Sequence, residues 1–344
     1  MIPKRAFFCH GTGTMTSEPT LPALPGWLRA WGHDLLDAPG HLMALRMTAL
    51  LFLLYGSSDL WLDIPLQMVC GALLLSPYLL RQPAAWATVC VLLWGFNLAD
   101  WAWIDNHKYL MSYWALVCVL ALISPRPGEV LAHNARWLIG LAFAFALLWK
   151  LLAGQYLDGS FLHYTFLGDE RLSFASRWLG GLSVDQLAHN RAVEAELADH
   201  PALGAAVAFH TTALMRQTAL ISSYWTLFIE GTVAFAFLLP SRLATEFHEK
   251  STTGPRRLLG WFSATRDLWL LGFLLTTYLL LPVLGFAYLL AVMGFCQVVN
   301  ARNADTHVLT LRERRLRLGY LFLFALLQLA RLPWDDLLWR LAGI

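Results

Sequence analysis

Apolar residues run along this chain in blocks, several of them about 17 to 25 residues long, closed by prolines, glycines or charges. The blocks fall at about 42–61, 64–80, 84–99, 109–124, 136–153, 217–239, 268–297 and 318–332. Helices of that length suit a hydrocarbon core about 30 Å thick. The pattern predicts an all-α, polytopic transmembrane bundle of about eight or nine membrane segments. The stretch from Trp137 to Gly159 stands out as the organising one. Leu138 to Trp149 carries no charge, and then Lys150 follows, flanked by Leu151 and Leu152.

Polar intervals divide the blocks. Residues 1–40 are turn-rich, and Lys4-Arg5 is not followed by a signal-type apolar core, so a cytoplasmic N-terminal segment is expected, with Met15 as an alternative start. Trp27, Trp31 and Leu35 recur at four-residue spacing and predict a short interfacial helix over 27–36. The section 154–216 is the longest polar one, and a helical extramembrane cap is expected there. Ser183-Val184-Asp185-Gln186 has capping-box form and opens an amphipathic helix reaching about Asp199. Pro201 suits the first turn of another. Phe161, Phe166, Phe174 and Trp178 call for burial, which makes the cap ordered rather than a linker. A transmembrane domain then covers 41–332, cap included, and 333–344 is a tail.

Composition agrees: 58% of residues are hydrophobic and 14% charged, against about a quarter charged in soluble domains. The five cysteines (Cys9, Cys70, Cys90, Cys118, Cys296) form no Cys-x-x-Cys pair, and four lie in apolar runs, where thiols act as small hydrophobes. Neither a disulfide framework nor a metal site is expected, since His163, His189, His200 and His210 lack ligand spacing.

Charge placement says more than net charge. Lys4, Arg5, Arg29, Arg81, Arg126, Arg136 and the basic loop 241–266 fall on one side if the N-terminus is cytoplasmic, leaving the acidic cap outside. The run 268–297 either crosses once or folds back at Pro282 to Gly285. The hairpin is expected, because it also keeps the basic loop 298–316 inside. These loops suit the anionic lipids of the inner leaflet; no base-reading or stacking module for nucleic acid is present.

Candidate chemistry gathers at the outer face. Lys150 reads either as a snorkelling headgroup anchor or as a desolvated amine serving as a base. His107, after Asp105-Asn106, is either an interface residue capped by Asn106 or a group that orients a substrate oxygen. Asp100, Asp105, Tyr109 and Asp158 share that face. Glu230 lies thirteen residues inside its span, about 20 Å of helical rise. It calls for a partner, Arg46 or another cation, or a proton-relay role.

Two stretches carry a family resemblance. Asp105-Asn106-His107-Lys108-Tyr109-Leu110 resembles the Asn-His-x-Tyr-Leu stretch of the horizontally transferred transmembrane (HTTM) domain, shared with vitamin K-dependent gamma-carboxylase. His133-Asn134-Ala135-Arg136 through Trp149-Lys150-Leu151 and Tyr156-Leu157-Asp158-Gly159 resembles that family's helix ending in Lys-Leu and the turn after it. The lysine is single here where the carboxylase has a pair, and Tyr156 stands in place of Trp. The resemblance covers mainly 40–240. It implies Lys150 as the base toward a reduced quinone, with His107 in the same site, and carboxylase- or epoxidase-type chemistry on the outer side. It implies an inner-membrane protein acting on an amphipathic quinol or lipid. A lipid or small-molecule transporter built around Glu230, and a non-catalytic scaffold whose cap binds a protein partner, are the alternatives.

Overall fold

A computed structural model describes residues 40–54, 60–99, 101, 104–199, 208–248, 253–278, 284–299 and 310–329. The expected helix at 27–36, the helix after Pro201, Asp100, His200, Cys9, the turn at Pro282 and the tail 333–344 lie outside those residues. The described chain is all helical, in the order α1 (Gly40–Leu54), α2 (Leu60–Leu75), α3 (Pro77–Leu80), α4 (Pro83–Ala99), α5 (Asn106–Ile123) and α6 (Pro127–Ala153). The cap follows as α7 (Ser160–Gly168), a 3-10 turn, α8 (Ser173–Trp178) and α9 (Val184–Asp199). The rest is α10 (Ala213–Leu238), α11 (Ser241–His248), α12 (Pro255–Tyr278), α13 (Leu284–Val299) and α14 (Leu311–Leu329). α6, α10 and α12 are long and apolar enough to cross a membrane; Gly40–Leu54, Leu62–Leu75, Pro83–Ala99 and Gly285–Val298 are shorter apolar helices.

The stretch 241–266, read as a basic loop, is largely helical among its described residues. Ser241–His248 forms α11, and α12 begins at Pro255 rather than near 268. Their charges mask helical segments that hydropathy alone passes over. α11 lies tight against α12: a side chain at Gly260 would meet the Leu243 carbonyl and Phe247.

The helix at the centre is α13, not the 137–159 stretch. Every side chain from Ala287 to Val298 is buried, against α14, α6, α1 and α12. A helix apolar on all sides can be enclosed on all sides, whereas α6 exposes Phe145, Leu148 and Trp149. Phe143 of α6 touches both Phe273 and Phe286, while Gln297 and Tyr320 hydrogen-bond Asp267. Residues 273 and 286 are thus level at one end and 267 and 297 at the other, so α12 and α13 run antiparallel. Arg312 donates to the Ala264 carbonyl, which brings the start of α14 to the same end as the start of α12.

Smaller polar contacts lock the remaining helices. Asn97 donates to Ser112 at 2.8 Å between α4 and α5. Trp114 donates to Thr48 at 3.0 Å between α5 and α1. Cys70, Cys90, Cys118 and Cys296 are buried.

The cap is a small helical fold built on the first turns of α10. Leu162, Phe166, Leu172, Ala175 and Leu187 bury against Met215 and Ala219. The capping box forms, with the Ser183 N–H donating to Gln186 Oε1 at 2.9 Å and the Gln186 N–H to Ser183 Oγ at 3.2 Å. Asn190 exchanges two hydrogen bonds with the His210 backbone. Of the four aromatics expected to be buried, only Phe166 is. Phe174 and Trp178 face outward side by side, one helical turn apart on an apolar edge that the cap's own core does not cover.

Close approach at the centre is testable. A side chain at Gly294 would enter the ring of Tyr320, which is buried and hydrogen-bonded to Asp267 at 3.0 Å. Gly294→Ala should cost about 1–3 kcal/mol. Gly272→Ala, where a Cβ meets nothing, should be neutral or mildly stabilising. Thermal unfolding of the two variants in detergent micelles checks the contrast.

Candidate functional site

α6 and α10 run antiparallel with a large offset. Gly140 lies against Phe237 and Leu238, Gly231 lies against Leu147, and Lys150 meets Glu230. The helices therefore share only about 14 residues, about 21 Å of each. The other half of α10 rises past the end of α6 into the cap. Tyr224 Oη donates to the Leu157 carbonyl at 3.1 Å, Thr218 donates to the Leu179 carbonyl at 3.1 Å, and Gly159 sits on the backbone of Leu220.

This offset corrects the depth expected for Glu230. Counting thirteen residues from an outer start assumes that the whole helix lies in the bilayer, but its first turns belong to the cap. Glu230 is level with Lys150, one turn from the end of α6. Gly154, in the left-handed conformation at φ 75°, stops that helix and returns its N–H to the Lys150 carbonyl at 3.3 Å.

Lys150 Nζ donates to both carboxylate oxygens of Glu230, at 2.8 and 2.7 Å. The side chains are only 16% and 9% exposed. The lysine is thus neither a solvated headgroup anchor nor a lone amine, and Arg46, which is exposed, is not the partner of Glu230. The Tyr156 ring stands 5.2 Å from the ammonium and stacks on Phe161 at 4.7 Å. Burial and the Glu230 charge raise the pKa of its phenol, so the ring meets the ammonium as a neutral π face. Ser223, two turns along α10 from Glu230, is buried, and its hydroxyl has no partner among the described residues. Its seven-residue spacing from Glu230 was the available sequence signal.

The remaining candidates have other duties. Asp105, not Asn106, occupies the N-cap position of α5, and Asn106 is the first helical residue. Tyr109 Oη donates to the Trp101 carbonyl at 3.1 Å and anchors the junction before α5. Asp158 is solvent-facing and accepts the Ser160 N–H at 2.9 Å. Hydrogen bonds from Ser160 hold its carboxyl below the usual carboxylate range. His107 is partly buried in the first turn of α5. That turn stands at the end of α5 that neighbours the Lys150 end of α6, since the two helices are antiparallel neighbours joined by a short turn.

Among the described residues, no group of three His, Cys, Asp or Glu side chains comes together as a metal site. A cavity of about 760 Å³ lies at the opposite end of α6, lined by Glu129, His133 and Arg136 among others, rather than at Lys150. At Lys150 the two side chains form a largely buried ion pair beside the Tyr156 ring. Comparison with protein-family models, curated proteins and solved structures finds no match for this chain.

A buried pair is costly to break one-sidedly. Lys150→Met should destabilise the protein by about 3–5 kcal/mol, because a carboxylate is left without its cation. The double variant Lys150→Met with Glu230→Met should recover most of that loss. Thermal unfolding of the wild type, the two single variants and the double variant measures the coupling.

Proposed function

We propose that this chain is a multi-pass inner-membrane protein of HTTM type that performs base-assisted chemistry on an amphipathic, quinol- or lipid-like substrate. The bidentate contact of Lys150 with Glu230 carries this reading. A proton can pass from the ammonium to a carboxylate oxygen along an existing hydrogen bond, converting two charges into an amine and a carboxylic acid. Low polarity around the pair reduces the cost of that neutral form. The free amine then takes the proton of a substrate hydroxyl: the O–H bond breaks, a new N–H bond forms, and the oxyanion is left beside an ammonium. His107 would orient the substrate oxygen from the neighbouring helix. A reduced quinone is the co-substrate that the HTTM resemblance implies.

The topology that accompanies this reading has about eight or nine membrane segments and a cytoplasmic N-terminus. Arginines from separate parts of the chain support it. Arg136, Arg266 and Arg312 collect at one end of the bundle, and the cap and the Lys150 pair stand at the other. Clustered positive charge marks the cytoplasmic side.

A second reading has a specific observation behind it. The tight contacts at Gly140 and Gly231 lie in the same helix interface as the pair, both on its α6 N-terminal side, as a structural tether would require. The double variant separates the two readings, because it restores packing while removing proton chemistry. Lipids that co-purify with the wild type and with this variant should differ by an isoprenoid or quinone species, detected by mass spectrometry. The variant should also fail to consume a reduced quinone presented in nanodiscs. Retained turnover together with an unchanged lipid profile would leave only the tether. A reporter fused after Thr310 should read cytoplasmic, and an outward reading would overturn the topology.

A further inference from the structure

The cavity at the other end of the bundle holds cations that the outer-face chemistry does not use. Arg136 of α6 donates to Ser241 Oγ at 2.6 Å, and Arg266 of α12 donates to the same oxygen at 3.3 Å. Two guanidinium groups thus converge on one hydroxyl. Among the described residues neither has a carboxylate within ion-pair distance, and the Arg136 Nε is buried without a partner. Arg312 lines the same cavity, braced on the Ala264 carbonyl.

The acids that line it are already engaged. Glu129 lies 3.4 Å from Arg126. Glu313 accepts the Thr310 N–H and hydroxyl, both at 2.8 Å, and caps α14. Asp267, next to Arg266 in sequence, offsets part of the charge but receives its hydrogen bonds from Gln297 and Tyr320. Ser241, which accepts from both arginines, still has its own O–H to donate. Gln297 Oε1 is buried and unpartnered. The cavity therefore offers guanidinium and hydroxyl donors together with one orphan acceptor.

The geometry points to a binding site for a phosphate group that carries a hydroxyl, with Arg136 and Arg266 as its fork. Planar guanidinium groups match phosphate oxygens in pairs, and the ligand's O–H would meet the orphan acceptor. A cavity of about 760 Å³ holds a headgroup as well as a free ion. Phosphatidylglycerol and hydrogen phosphate share this chemistry. Trp137 and Trp261, both partly exposed and close in sequence to Arg136 and Arg266, are the amphipathic rings expected at headgroup level.

The test uses the full chain in nanodiscs of neutral phosphatidylcholine. Inorganic phosphate is added in one arm, and phosphatidylglycerol replaces part of the lipid in the other. One of the two should raise the unfolding midpoint by roughly 5 °C at saturation. A rise with phosphate identifies the free ion; a rise with phosphatidylglycerol alone identifies the headgroup. Arg136→Gln with Arg266→Gln should remove the rise. If that variant does not fold, Arg136→Lys with Arg266→Lys keeps the charge but loses the fork, and should weaken the response at least tenfold in midpoint concentration. Arg242→Gln with Arg256→Gln, exposed residues outside the cavity lining, should leave it intact. No rise in either arm, or equal loss in this control, overturns the proposal.

Discussion

The two longest helices of this chain overlap along only half their length, and that offset decides where both polar sites stand. It carries the first turns of α10 beyond the end of α6, where the cap folds around them. It also leaves the first turns of α6 without α10 beside them, and the cavity lined by α6, α11 and α12 opens there. Lys150 meets Glu230 at one limit of the overlap, and Arg136 meets Ser241 just beyond the other. A shift of one helical turn would move the carboxylate about 5.4 Å along the axis and strand two charges in an apolar interface, a penalty of several kcal/mol. The small residues Gly140 and Gly231 permit the approach, and the ion pair selects this register among others that packing alone would tolerate.

Local signals in the sequence transfer well to the structure. Ser183 and Gln186 are three residues apart, and a helix start satisfies both at once, so the capping box could be read directly. Apolar block length located the helices for the same reason, since the bilayer sets a length whatever the fold. The limits were less legible. The first nine residues of α6 and most of the 241–266 stretch look like loop because charge reports solvent or headgroup exposure and not irregular backbone.

Partners distant in sequence were the harder part. Lys150 and Glu230 each drew attention as an ionisable group in an apolar run, yet their pairing depends on an offset that no periodicity encodes. Arg46 was an equally reasonable partner on paper. The convergence of Arg136 and Arg266 on Ser241 joins residues from α6, α11 and α12, and none of those stretches advertises a site by itself. The aromatics of the cap show the opposite error. Phe174 and Trp178 are large and apolar, but a fold this small has too little interior to bury every such residue.

The enclosure of α13 bears on how the chain is made. Its neighbours include α1, the first described helix, and α14, the last described, so its surface cannot be fully covered until α14 has been synthesised. Until then Tyr288 has no Leu327 carbonyl to donate to, and Asp267 has no Tyr320. At chain-elongation rates of about 5–20 residues per second, the half-built bundle must keep a buried acid and a phenol waiting for seconds. Enclosure of α13 therefore waits on α14, and loss of α14 would leave the interior open rather than merely shortening the bundle.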